Sequence, residues 1–211
     1  MGTVKRRERE KKQRRENIID AAERVFSAKG FVNATIDDIA NEAELSKGAL
    51  YLYFKNKKEL CLAIIVRSLR QISSTFEDIL HQQGKGIDKI LTLASTFLDF
   101  YNDLPDCITA LLYYSTHKLN VESKILQEAI TENEKINNII TNIIESGIED
   151  GSIRSDIDTV KFSYALWGQL SGLLPSFTLS FNEIKQTPKY TPYEIYTYIF
   201  TLIQKELRAK N

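Results

Sequence analysis

The chain has 211 residues, 43% of them hydrophobic, with only 9 Gly and 4 Pro. That apolar share excludes general disorder, and the scarcity of turn residues argues against many short strands and for long helices. Charge sums to zero, yet residues 1–60 carry 14 Lys/Arg against 10 Asp/Glu while the remainder carries 14 against 18, which points to a polyanionic partner for the first part only.

The chain opens on a basic run: residues 5–15 hold eight Lys/Arg and two Glu. It has no apolar core of the kind a secretory signal needs, and reads as a helical extension or a flexible arm. Whether it touches DNA is left open by the sequence. From about Asn17, Ile18, Ile19, Ala22, Val25 and Phe26 recur on one face of a helix that Lys29 and Gly30 end. Thr35 caps a second helix with Asp38 at N3, a capping box, and Ala43, Glu44 and Leu45 form a turn. Ser46 caps a third helix anchored inward by Leu50, and Asn56 caps a fourth with Glu59 at N3. That helix runs to about Gln83, where Gly84 and Gly86 stop it.

Further helices are expected over 87–102, 104–118, 121–150, 156–181 and 191–209. Gly151 is a C′ glycine, Ser155 or Asp156 the next cap, and Thr191-Pro192-Tyr193-Glu194 a third capping box. Residues 162–182 contain no charge and match a bilayer in length, but Gln169, Pro175 and several Ser/Thr favour a helix buried on most sides of a protein over a membrane span. Cys61 and Cys107 sit in apolar surroundings and read as buried thiols of a reducing, cytoplasmic compartment.

Two short helices joined by a three-residue turn and packed on a preceding helix describe a helix-turn-helix. Ala40 is small where the helices cross, and Ile39, Leu45 and Leu50 fill the wedge, which leaves Ser46, Lys47, Gly48 and Tyr51 facing outward. A helix of that width enters the DNA major groove, and hydroxyls and helix-terminal N–H groups also hold phosphate.

The stretch from about Ile18 to Leu60 resembles the DNA-binding signature of the TetR family of transcriptional repressors. The resemblance rests on "VFSAKGF", on the start T-x-D-D-I-A, on S-K-G-A-L-Y-x-Y-F and on K-N-K-x-E-L. It implies an all-α homodimer with an N-terminal three-helix reader and a larger helical ligand-binding and dimerisation domain. The corresponding boundaries are 1–16 for the basic arm, 17–60 for the reader and 61–211 for the rest. Carried over onto matching positions, it implies DNA contacts from Thr35, Ser46, Lys47, Gly48, Tyr51 and Lys57, with Tyr53 and Lys55 matching contacts of some members. Glu44 departs from the glycine common at the turn, where a positive φ costs a non-glycine residue about 1 kcal/mol.

In the remainder, Phe97, Phe100, Tyr101, Tyr113, Tyr114, His117 and Trp167 belong to an aromatic-rich set from which an effector pocket is expected to draw. No metal ligand set and no resident cofactor is expected. Ala165, Gly168 and Gly172 form a small-residue stripe, and the last helix is apolar on two sides, with Ile199 and Leu202 on one of them. Both helices are therefore expected at a two-fold dimer interface. The expected partners are a palindromic double-stranded DNA operator, a second copy of the chain and a lipophilic small-molecule effector, with no membrane. An enzyme has no Gly-rich phosphate loop or nucleophile elbow to work with. The rival reading is an architectural DNA-binding protein without a ligand.

Overall fold

The computed structural model describes residues 2–103, 124–183 and 190–209. These form α1 (Gly2–Asn33), α2 (Ile36–Glu42), α3 (Lys47–Tyr51), α4 (Lys57–His81), α5 (Gly86–Asp103), α6 (Lys124–Glu149), α7 (Thr159–Glu183) and α8 (Pro192–Leu207). The helix expected over 104–118 lies outside the described residues. Among those described, β pairing is limited to an isolated bridge between Ile153 and Arg208. The chain divides into two compact units, one of residues 1–67 and 106–127, the other of 68–105 and 128–211.

In the first unit, α1 buries Ile18, Ile19, Ala21, Ala22, Val25 and Phe26 along its apolar stripe. The helix does not begin near Asn17 but continues back to Gly2, and the basic run is its N-terminal extension. Residues 5–14 are exposed and contain no apolar side chain, so no hydrophobic period announced them. Local pairs support this stretch instead: Arg6 with Glu10 at 2.8 Å and Gln13 with Asn17 at 2.9 Å. At the other end Gly30 takes φ 72°, and the chain leaves regular helical geometry there. Arg67 of α4 ties α1 down through Glu16, Asp20 and Glu23, with Asp20 at 2.5 Å.

At the start of α4 the Asn56 side chain accepts the Glu59 N–H (2.9 Å), but Glu59 reaches back to the N–H of Lys55 (2.6 Å). Cys61 is buried, and burial pushes its thiol up to about 12 against the opposing pull of Lys57.

The second unit is built from the rest of α4 with α5 to α8. Phe76, Ile90, Leu93, Phe97, Ile136, Ile140, Leu166, Leu170, Tyr196 and Phe200 fill its core. Helix α5 packs on α7 and α8, and α7 on α8. Tyr196 donates its hydroxyl to the carbonyl of Ala94 (3.3 Å), and its burial raises the phenol's pKa.

Gly86 at the head of α5 lies against Gly147 of α6: a Cβ on Gly86 would stand 2.3 Å from the Gly147 Cα. Past α6, Gly151 takes φ 73°, and the N–H groups of Ser152 and Gly151 close back on the carbonyls of Gly147 and Ile148. Asp150 and Ser152 then accept the N–H groups of Gly86 (2.8 Å) and Ile87 (3.2 Å). Helix α7 is capped by Asp158, which accepts the Lys161 N–H at 3.0 Å, and not by Ser155 or Asp156. Asp156 is held instead by the Arg154 guanidinium through two 2.6 Å bonds. Thr191 caps α8 in a full capping box with Glu194, with Pro192 in the first turn. No described helix is long and apolar enough to cross a membrane.

Candidate nucleic-acid interface

The turn between α2 and α3 follows from its capping chemistry. Thr35 accepts the Asp38 N–H (3.1 Å), and the Asp38 carboxylate accepts from the Thr35 N–H (2.9 Å). At the other end the N–H of Leu45 reaches the Ala40 carbonyl (2.8 Å) and that of Glu44 the Asn41 carbonyl (3.1 Å), the paired closure of a helix ended by a left-handed residue. The left-handed residue is Glu44, at φ 54°. No contact among the described residues requires a carboxylate there. Glu44→Gly is therefore expected to stabilise the chain by about 1 kcal/mol in urea denaturation. A loss of stability would show that the Glu44 side chain makes up for its backbone strain.

Ion pairs fix α2 on its neighbours. Arg24 of α1 meets Glu42 (2.6 Å), Lys29 meets Asp38 (2.6 Å), and Asp37 meets Lys47 of α3 (2.9 Å). Lys29, with Thr35 beside it, holds the Asp38 carboxyl down to about 2. Buried Ile39, Ala40 and Leu50 pack beneath.

The opposite side of α3 carries the residues singled out by sequence. Ser46 is the N-cap, its Oγ accepting the Ala49 N–H (3.2 Å). Lys47, Gly48 and Tyr51 are exposed and share one face by the 3.6-residue period, opposite Leu50. Gly48 has ordinary helical geometry, and a Cβ added to it would meet no atom within 4 Å. A helix-interior glycine costs about 1 kcal/mol relative to alanine, and nothing inside the chain asks for it. Tyr51 is 46% exposed. Tyr53 is half-buried; Thr35 and Lys55 are exposed.

Lys57 is engaged within the chain. Its ammonium donates to the carbonyls of Phe31 (2.6 Å), Val32 (3.1 Å) and Ala34 (2.8 Å) and stands 4.7 Å over the Phe31 ring. The charge at the head of α4 is thus met by the carbonyl oxygens that end α1, and burial lowers its pKa. Two features went unremarked in the sequence. Leu52, beside Tyr51, is 80% exposed. The Arg15 guanidinium lies 4.9 Å over the ring of buried Phe54, just past α3. An exposed leucine inside an apolar-aromatic run carries no sequence signal, and an arginine in a basic run does not reveal which aromatic it covers.

A family profile described as "Bacterial regulatory proteins, tetR family" matches residues 18–64, from the apolar half of α1 through α2 and α3 into the start of α4. Over those residues the chain is similar to the TetR family of bacterial regulatory proteins. The chain is 23% identical over 176 residues to the fatty acid metabolism regulator protein of Bacillus subtilis, covering 82% of this chain and 87% of the relative. It is 27% identical over 152 residues to the HTH-type transcriptional repressor KstR2 of Rhodococcus jostii, covering 70% and 72%. In structure it resembles the regulator FadR from Bacillus subtilis in complex with stearoyl-CoA, with a TM-score of 0.68 over 92% of this chain and 99% of that one at 20% identity. That likeness establishes a shared fold.

In the second unit, Trp167 lies edge-on to Phe97 (5.7 Å between centroids) and to Phe76 (6.4 Å). Its indole N–H donates to Asn133 Oδ1 at 2.9 Å. One turn on, Asn137 gives its amide N–H to the Asn133 carbonyl (2.9 Å), while its Oδ1, buried in the core, has no partner among the described residues. Tyr101 is buried and Phe100 half-buried; Tyr113, Tyr114 and His117 lie outside the described residues. Of the small-residue stripe, Ala165 and Gly168 are exposed and Gly172 half-buried, and a Cβ on either glycine would meet no atom within 4 Å. On α8, Tyr196 and Phe200 point inward, Ile199 is half-buried and Leu202 exposed. Among the described residues no group of three or more His, Cys, Asp or Glu side chains is arranged to hold a metal ion.

Proposed function

We propose that this chain is a repressor that binds a palindromic operator as a homodimer and is released by a lipophilic small molecule. The observation that carries the DNA part is the outer face of α3, where Gly48 leaves open space that no contact among the described residues explains. A close approach of DNA accounts for it. In this reading Thr35, Ser46, Tyr51, Tyr53 and Lys55 contact phosphate or base edges. Lys47 exchanges Asp37 for a phosphate, and Lys57 serves by fixing the end of α1 where α2 begins. Leu52 offers an apolar contact suited to a thymine methyl.

Selection from a random duplex library with the full chain tests this reading, with recovery of an inverted repeat as the expected result. On the selected duplex, Tyr51→Ala is expected to weaken binding by roughly 1–3 kcal/mol at unchanged stability. Undiminished affinity in Tyr51→Ala removes that residue from the interface, and failure to enrich any sequence defeats the reading as a whole.

The effector is proposed to enter the second unit beside Trp167, Phe97, Phe100 and Tyr101. An apolar, aromatic wall supports a lipophilic ligand, and the orphaned Asn137 oxygen suits a hydroxyl or amide N–H on it. The fatty acid metabolism regulator among the relatives, and the FadR structure with stearoyl-CoA, make long-chain acyl-CoA the first probe. Binding would favour a dimer state whose two α3 helices no longer match successive major grooves.

The dimer is proposed to form through α7 and α8 of both copies. Tyr164, Ala165 and Gly168 on α7 and Tyr198 and Leu202 on α8 leave an apolar face in water. A Cβ at Gly168 meets nothing among the described residues, so Gly168→Leu is expected to act on a second copy and not on the fold. Sedimentation is expected to show dissociation at micromolar concentration together with loss of operator binding. A variant that remains dimeric and active moves the subunit contact elsewhere.

A further inference from the structure

The N-terminal extension of α1 is a helix without a packing reason to be one. Residues 5–14 are exposed on every side, and the stretch has no apolar stripe to bury. A short polar helix alone in water is marginal. What it offers is charge: eight Lys/Arg against two Glu over residues 5–15. Two of those charges have partners, Arg6 on Glu10 and Arg15 on Glu16.

The root of the extension is placed by contacts within the first unit. The Arg15 guanidinium covers the Phe54 ring at 4.9 Å, and Phe54 is bonded through its N–H to the Leu50 carbonyl of α3 (3.1 Å). Glu16 and Asp20, on the following turn, are held by Arg67. The extension therefore leaves the unit beside the end of α3, and its direction is set by the contacts of Arg15 and of the turn that follows it. Lys11 and Lys12 lie one turn before Arg15 on the same side of the helix, and Lys5 and Arg7 flank that side further out. The ten helical steps from Lys5 to Arg15 extend about 15 Å.

We propose that residues 5–15 form a second DNA contact, a basic helix that lies along phosphates flanking the operator and binds them without regard to sequence. The proposal rests on the reading of α3 as the DNA-contacting helix and adds to it a different partner surface, the backbone outside the recognised bases. Charge complementarity and continuity with α3 through Arg15 and Phe54 carry it. The extension contributes affinity and salt dependence, whereas α3 contributes choice of sequence.

The test uses the full chain and a variant carrying Lys5→Gln, Arg7→Gln, Lys11→Gln and Lys12→Gln. Glutamine keeps the helix propensity and removes the charge, and helix content by circular dichroism checks the fold. Both proteins are titrated between 50 and 200 mM salt with a random-sequence 30-base-pair duplex and with the selected duplex. The variant's log–log salt slope is expected to be shallower by about two to three on both duplexes, so that wild type loses roughly 16- to 64-fold more affinity across that range. The ratio of selected to random binding stays the same. Equal slopes for the two proteins overturn the proposal. So does capture of wild type, but not variant, by phosphatidylglycerol vesicles when the DNA slopes are equal, which assigns the helix to a membrane surface instead. Failure of the α3 reading looks different: Tyr51→Ala then leaves the selected-to-random ratio unchanged, whatever the slopes do.

Discussion

Gly86→Ala is expected to destabilise the second unit by about 3 kcal/mol or more. The added methyl would sit 2.3 Å from the Gly147 Cα, 2.4 Å from its nitrogen and 2.9 Å from the Ile143 carbonyl oxygen. All three are backbone atoms, so no rotamer change relieves the clash, and α5 must move away from α6. That movement also stretches the bonds from the Gly86 and Ile87 N–H groups to Asp150 and Ser152, leaving donors at a helix start without partners. The urea midpoint is the measurement. A midpoint equal to wild type would mean that the two helices do not depend on this close approach.

The second large effect has opposite signs in two assays. Gly48→Ala is expected to raise fold stability by up to about 1 kcal/mol, because alanine is the better helix former and its methyl meets open space. On the selected duplex the same methyl is expected to weaken binding by roughly 1–3 kcal/mol, since it stands where the backbone of α3 approaches the DNA. Stability and affinity rising together would remove the outer face of α3 from the interface. Few substitutions on a purely structural surface separate the two quantities in this way.

The elements that sequence reading located best are those whose signals are local. The capping boxes at Thr35 and Thr191 and the cap at Ser46 are matters of three or four residues, and each is present in the structure. The positive φ at Glu44 was legible because the turn geometry demands a left-handed residue wherever the sequence supplies one. The α1 extension was half legible: its charge stood out, but a helix without an apolar stripe leaves no period to read. The carbonyl partners of the Lys57 ammonium could not be read from the sequence, because all three lie more than twenty residues away in the chain. The Gly86–Gly147 approach was invisible for the same reason. A glycine in sequence announces freedom or closeness without saying to what, and Gly86 reads as a mere helix stop until the helix crossing it is known.

The packing of Trp167 has a practical consequence. It is the one tryptophan in the chain, and it sits in the second unit with its ring edge-on to Phe76 and Phe97 and its N–H on Asn133. Its fluorescence therefore reports the unfolding of that unit alone, while circular dichroism sums the helices of both. Curves recorded by the two probes coincide only if the units melt as one. A gap between them gives each unit its own free energy, and shows in which of the two a given substitution acts.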